Sequence, residues 1–290
     1  MKILNCGSLN IDRVFQVNDL VRPGETIPAN GMELHPGGKG LNQSVALARA
    51  GAPVFHAGKV GEDGLFLVQL LESCGVDTTR TGRDGSVTGH ACIQVDENGQ
   101  NCIILHGGAN QEITEADVAE TLAAFSAGDW LVLQNEISCL PQILSSGKAR
   151  GMVTVLNPSP ITPALAAMDL SEVDYLLLNE TEGQDLTGET EPAAITAALL
   201  KKYPAMKVVL TLGEQGAVYA AGEEYIAVPA CRAKAVDTTA AGDTFTGYFI
   251  AAVSTGMDPE TAMKRAAKAA AIAVSRPGAS ISIPSKEEIE

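Results

Sequence analysis

No apolar run in this chain approaches the roughly 18 residues that a membrane-spanning helix requires. Positive charge is also scarce: 20 Lys and Arg face 35 Asp and Glu, a formal net charge of −15. That balance argues against a broad nucleic-acid or membrane surface, although it leaves room for one anionic ligand held locally. The six cysteines, at 6, 74, 92, 102, 139 and 231, form no Cys-x-x-Cys pair, and the four histidines form no His-Glu-x-x-His. Structural zinc and a disulfide framework are therefore not expected, and most of the cysteines read as small buried hydrophobes. Gly-x-Gly-x-x-Gly and the Walker A pattern are both missing, which removes the dinucleotide fingerprint and the P-loop. The N-terminal Met-Lys-Ile-Leu-Asn-Cys-Gly enters a strand pattern without a signal-peptide cleavage region, so a cytoplasmic protein is expected.

What is present is a chain of 290 residues, 46% hydrophobic, with a mean hydropathy of +0.11. It is long enough for one large α/β domain over residues 1–290. Buried-strand patterns at Ile3–Cys6, Val54–Val60, Trp130–Gln134, Val153–Asn157, Tyr175–Asn179 and Val208–Leu212 alternate with helical ones at Leu41–Ala50, Leu65–Cys74, Glu115–Phe125, Leu140–Arg150 and Ala193–Tyr203. Such alternation implies a parallel sheet with helices on both faces and ligands at the carboxyl ends of its strands. Ile11–Val17, Thr26–Leu34, Gly89–Val95 and Asn101–His106 break the rhythm, with Asp96–Gly99 as a hairpin turn between the last two. These four read as a small β lid, an excursion spanning about 11–34 and 89–106. Near the C-terminus an Ala-rich helix, Thr261–Val274, precedes an irregular tail, Ser275–Pro284.

The most informative segment is Asp237-Thr-Thr-Ala-Ala-Gly-Asp-Thr-Phe245, at the mouth of an apolar helix over Phe245–Val253. A helix N-terminus offers unpaired N–H groups and partial positive charge, and small residues there let a phosphate approach. A carboxylate in that turn, Asp243, suits a base that deprotonates an alcohol attacking a phosphoryl group. The simpler alternative is that Thr239 or Asp243 is an N-cap. Pro36-Gly-Gly-Lys-Gly-Leu-Asn42 is a glycine turn opening a helix, with a lysine and an asparagine suited to a polyol, or else a plain turn with a solvated lysine. Asn10-Ile-Asp12, read as the end of the first strand, puts a carboxylate where it accepts sugar hydroxyls. Asn179-Glu-Thr-Glu182 fits a capping box, Mg²⁺ held through water, or both. Thr211-Leu-Gly-Glu-Gln-Gly216 is a hairpin turn or a turn lying along nucleotide phosphates.

In order and spacing these segments resemble the PfkB-type carbohydrate kinases, and within them the ribokinase group. The likeness also takes in Gly7–Asp12, Pro36–Gly51, Gly61-Glu-Asp-Gly64, Gly108-Ala-Asn110, Asn157-Pro-Ser-Pro160 and Thr211-Leu-Gly213. It implies a ribokinase-like three-layer α/β/α fold with a mostly parallel central sheet and a small β-sheet lid. It also implies an enzyme that phosphorylates the terminal hydroxyl of D-ribose from ATP, with Mg²⁺ and K⁺. On the matching positions, Asp243 would be the catalytic base and the N–H groups of Ala240, Ala241 and Gly242 an anion hole. Asn10, Asp12, Gly38, Lys39, Gly40, Asn42 and Glu136 would hold the sugar. Asn179, Thr211, Gly213, Gly216 and Ala267 would serve ATP, with Glu182 reaching Mg²⁺ through water. Asp237, Thr239, Ala273, Arg276, Gly278 and Ser282 would form a K⁺ site.

Deoxyribose, a ketohexose or a nucleoside are the rival acceptors. A rival of another class is a non-catalytic sugar- or nucleotide-binding regulator, against which Lys39, Glu182, Gly242 and Asp243 all speak. Bare strand edges on the lid point to a homodimer formed through it.

Overall fold

The computed structural model describes residues 1–290. The first third or so of the chain alternates between two sheets: β1 (Ile3–Cys6), β2 (Asn10–Gln16), β3 (Gly31–Gly37), α1 (Lys39–Arg49), β4 (Val54–Lys59), α2 (Leu65–Ser73), β5 (Asp77–Gly82), β6 (Gly89–Val95) and β7 (Asn101–His106). A βα rhythm follows: α3 (Glu115–Leu122), β8 (Trp130–Gln134), α4 (Leu140–Ala149), β9 (Val153–Asn157), α5 (Pro163–Ala166), β10 (Tyr175–Asn179), α6 (Glu180–Thr187), α7 (Pro192–Lys202) and β11 (Lys207–Thr211). The chain closes with β12 (Ala217–Ala221), β13 (Glu224–Val228), α8 (Ala241–Ser254), α9 (Pro259–Val274) and α10 (Lys286–Ile289).

Nine strands form the main sheet in the order β13-β12-β11-β10-β9-β8-β1-β4-β5. All pair in parallel except β12 and β13, which fold back as an antiparallel edge. Because side chains alternate across a strand, Ile3, Val132 and Val209 enter the core beneath α1, α2, α8 and α9. Leu4, Leu133 and Leu210 enter the other core, beneath α3, α4 and α7. The chain runs from β1 outward to β4 and β5, then returns to place β8 on the opposite side of β1. That reversal opens a crevice at the carboxyl ends of the strands, where ligands bind in open α/β sheets.

The second sheet has four strands, in the order β3-β2-β6-β7. Strand β7 is exposed along its whole length, and Met32, Leu34, Ile103, Ile104 and Leu105 are exposed apolar residues on this sheet. No helix is long and apolar enough to cross a membrane.

Several boundaries differ from expectation. The lid strand expected at Thr26–Leu34 lies at Gly31–Gly37, because β2 ends at Gln16 and its partner register starts at Gly31. Pro23, Gly24 and Pro28 keep the preceding stretch out of the ladder. Asn10–Asp12 does not end the first strand but opens β2, so the bend after β1 carries the chain into the lid. Strands β5 and β13 escape a reading of hydrophobic runs: Asp77-Thr-Thr-Arg-Thr-Gly82 is polar, and Glu224–Val228 is largely exposed. Only Cys6 among the cysteines is buried, while Cys102 and Cys231 are exposed.

Candidate active site

Helix α8 begins at Ala241, four residues before its apolar run, because the turn ahead of it is wound the unusual way. Ala240 is the N-cap, in the left-handed region at φ 60°, and no side chain caps the helix. Neither Thr239 nor Asp243 is the cap. An alanine in that region carries roughly 1 kcal/mol of strain, and such residues gather at functional sites. The N–H of Ala241 donates to the Thr238 carbonyl at 3.2 Å, whereas those of Ala240, Gly242 and Asp243 have no protein acceptor. A side-chain carbon at Gly242 would meet nothing within 4 Å, so this face of the helix mouth is open.

Asp243 is buried, and both of its oxygens are held. The Asn42 amide donates to Oδ2 at 3.1 Å and the Gln43 amide to Oδ1 at 2.9 Å, two consecutive residues of α1 gripping one carboxylate. Lys39 stands at the first position of α1, and its N–H donates to the Glu136 carboxylate at 3.0 Å. Burial works against the Lys39 ammonium, but Asp243, Glu136 and Glu182 around it prevail and hold its pKa above the usual lysine value. Ser8 also hydrogen-bonds Glu136. Burial raises the pKa of Glu136 despite those donors.

Asp12 lies beside this group on β2. Burial first, then the charge of Glu136, push its carboxyl up to about 6. It sits over Gly37, where any side-chain carbon would collide with it. Asn10 is tied by its Oδ1 to Asn110, whose Nδ2 donates at 2.8 Å. Gly38, at φ 95°, and Gly40 are glycines because α1 packs directly on the chain at Gly7 and Ser8; a carbon on Gly40 would come within 2.6 Å of Gly7 Cα. Lys39, Gly40, Asn42 and Glu136 thus meet Asn10 and Asp12 at the lid side of Asp243. The Asn42 Oδ1 is buried without a partner, an acceptor suited to a hydroxyl donor.

On the other side of Asp243 lies a cleft of about 230 Å³ lined by Lys39, Asn179, Glu182, Thr211, Gly242 and Asp243 among others. Asn179 and Glu182 form a reciprocal capping box at the start of α6: the Asn179 N–H donates to Glu182 at 3.0 Å and the Glu182 N–H to Asn179 Oδ1 at 2.9 Å. Capping and cleft-lining therefore coexist. No cluster of three or more His, Cys, Asp or Glu side chains could hold a metal by itself. A half-buried Glu182 lining the cleft fits Mg²⁺ reached through water, since that ion keeps much of its hydration shell. Gly213 and Gly216 lie in the turn that continues from Thr211, and Ala267 is buried in α9; none of the three lines this cleft.

Asp237 joins the helix-mouth turn to the C-terminal tail. One carboxylate oxygen accepts from the Thr239 N–H and the other from the Gly278 N–H, both at 2.9 Å. The Val274 carbonyl accepts from the N–H groups of Val236 and Asp237. Ala273 and Ser282 are buried beside this junction, and the Arg276 side chain is turned to Glu288. Asp237 is the one carboxylate at this junction, and both of its oxygens accept from backbone N–H groups. The sequence assigns no individual role to Asn5, Ser8, Gln43, Asn110, Gln134 and Asn157, although Ser8, Gln43, Asn110 and Asn157 lie within the segments that carry the resemblance. A polar residue inside an apolar helix or strand pattern, as at Gln43 and Gln134, was the available signal.

The model of the pfkB family carbohydrate kinases matches residues 2–286. The chain belongs to that family. The kinase is 35% identical to the ribokinase of Staphylococcus aureus over 99% of its own length and 98% of the relative's. A crystal structure of ribokinase from Cryptococcus neoformans in complex with ADP superposes with a TM-score of 0.86 at 34% identity, covering 99% of this chain and 98% of that one. The structure of Arabidopsis thaliana ribokinase complexed with ribose and ATP gives 0.86 at 32%, covering 99% and 96%. These neighbours fix the kinase as ribokinase-like in fold, the four-stranded sheet fitting the lid, and as a phosphotransferase acting on a sugar hydroxyl.

Proposed function

We propose that this kinase transfers the γ-phosphoryl group of ATP to the terminal hydroxyl of D-ribose, giving D-ribose 5-phosphate and ADP. The observation that carries the reading is the position of Asp243. It is a doubly anchored carboxylate at an uncapped helix mouth, held by Asn42 and Gln43 and lining an open cleft of about 230 Å³. Asp243 takes the hydroxyl proton as general base. The free N–H groups of Ala240 and Gly242 and the ammonium of Lys39 meet charge that develops on the transferred group. The Ala241 N–H contributes less, being turned to Thr238.

Asn10, Asp12, Gly38, Lys39, Gly40, Asn42 and Glu136 bind the sugar, and Asn179, Thr211, Gly213, Gly216 and Ala267 the nucleotide. Mg²⁺, held through water near Glu182, neutralises phosphate charge when bound. Asp237, Thr239, Ala273, Arg276, Gly278 and Ser282 form the K⁺ site, Arg276 through its backbone. The exposed apolar lid residues support a dimer in which lids pair.

The test is ADP release against a panel of ribose, deoxyribose, ketohexoses and nucleosides, with Asp243→Asn beside the wild type. Ribose should give the highest kcat/KM, and the variant should keep both ligands while losing about 10²–10⁴ in kcat. A better nucleoside or ketohexose than ribose would refute the acceptor assignment. A variant with more than about half the wild-type kcat would refute the base.

A further inference from the structure

Five polar side chains lie under the glycine turn at zero exposure: Asn5, Gln43, Ser44, His56 and Gln134. Apolar residues of the same shape would pack there without the desolvation cost, so so many buried amides call for a reason. Their hydrogen bonds form one line. The Gly40 carbonyl, which only accepts, takes an N–H from Asn5 Nδ2 at 2.8 Å. The same nitrogen donates to Ser44 Oγ at 2.8 Å, and that oxygen pairs with His56 Nδ1, a ring that burial keeps neutral. With its nitrogen so committed, Asn5 turns Oδ1 to Gln134, whose Nε2 donates at 2.9 Å. The second N–H of Gln134 donates to Gln43 Oε1 at 2.7 Å. The orientation of the Gln43 amide is thereby set, and its nitrogen faces Asp243 Oδ1. Gly7 has no side chain because Gln134 Oε1 occupies the place that one would take.

Given the reaction proposed above, the geometry points to Gln43 as a positioning residue, with Gln134 and Asn5 fixing its polarity so that Asp243 always receives a donor. Gln43 touches the base and not the sugar pocket. An amide turned the other way would set its oxygen against the carboxylate, two acceptors facing each other, and would rotate Asp243 away from the hydroxyl. The network also couples the base to the Gly38–Gly40 turn through the Gly40 carbonyl, so sugar pocket and base share one rigid frame.

A double-mutant cycle tests this. Gln43→Met, nearly the same volume without the amide, should lower kcat about 10–100-fold, the worth of a hydrogen bond to a charged group. Calorimetric affinities for ribose and a non-hydrolysable ATP analogue should stay within about threefold. In an Asp243→Asn background the same substitution should change kcat by less than about twofold, because the base that Gln43 positions is gone. Gln134→Met, one step further away, should follow the same pattern at about three- to tenfold, and it carries the cycle if Gln43→Met does not fold. A loss from Gln43→Met that multiplies in the Asp243→Asn background, or equal losses in binding and kcat, would overturn the positioning role while leaving wild-type ribose turnover intact. A wild type that turns over no sugar would instead overturn the reaction on which the role rests.

Discussion

Two glycines of α8, five residues apart, should respond in opposite ways to the same methyl group. Gly242 is the second residue of the helix, and a carbon built there touches nothing within 4 Å. Alanine is the better helix former by about 0.5–1 kcal/mol, so Gly242→Ala should raise the melting temperature by about 1–3 °C in a chain of this size. That the sequence has glycine despite this gain is explained if the open space belongs to the transferred phosphate. The methyl would stand over the free N–H groups of the helix mouth, and kcat/KM for ATP should fall about 10–100-fold. At Gly247 the added carbon is driven into Ala46 and comes within 2.8 Å of the Leu47 backbone nitrogen, where α8 and α1 cross. Overpacking of that kind costs about 1–3 kcal/mol. Gly247→Ala should therefore melt lower, and its folded fraction should work nearly as wild type. Scanning fluorimetry and a coupled ADP assay on both variants read the contrast. If Gly242→Ala were fully active, or melted as low as Gly247→Ala, the helix mouth would have lost its claim as the anion site.

Asp12→Asn should show a pH-dependent stability gain. Its carboxyl rises from 3.8 to about 6 in the native state, so between those values the folded chain keeps a proton that the unfolded chain has lost, and wild-type stability falls as pH rises. The variant should be more stable by about 1–3 kcal/mol above pH 6 and level with wild type below about pH 4, a flat difference refuting the shift. Replacing Na⁺ by K⁺ at constant ionic strength should raise ADP release several-fold, and Asp237→Ala should blunt the response; identical rates in both salts would leave Asp237 as a turn-former only. For the proposed lid-paired dimer, Ile104→Lys on an exposed lid strand should give monomer on size-exclusion chromatography where the wild type elutes as dimer, and an unchanged elution volume would remove the lid from the interface.

The local chemistry of this kinase was legible in its residues. Largely apolar runs of four to six residues, such as Ile3–Cys6 and Trp130–Gln134, coincide with central strands because a strand buried on both faces admits a polar residue only where it is hydrogen-bonded, as Asn5 and Gln134 are. The capping box of Asn179 and Glu182 was legible for the same reason: it is closed within three residues. Edge elements were not. Strands β5 and β13 are polar or exposed, and the start of β3 is set by its partner's register, not by its own residues.

Sequence order alone brought Asp243 to the mouth of an apolar helix and gave it bare neighbours, because helix entry and glycine placement are local properties. It did not determine which groups hold that carboxylate. Gln43 lies 200 residues away along the chain, and Gln134 reaches Gln43 across 91. Only the packing of α1 against α8, over the carboxyl ends of β1 and β8, brings those amides to the base. A buried glutamine in an apolar pattern has no meaning until its partners are known, since its amide can point either way. The donors and acceptors that the fold sets around it decide which.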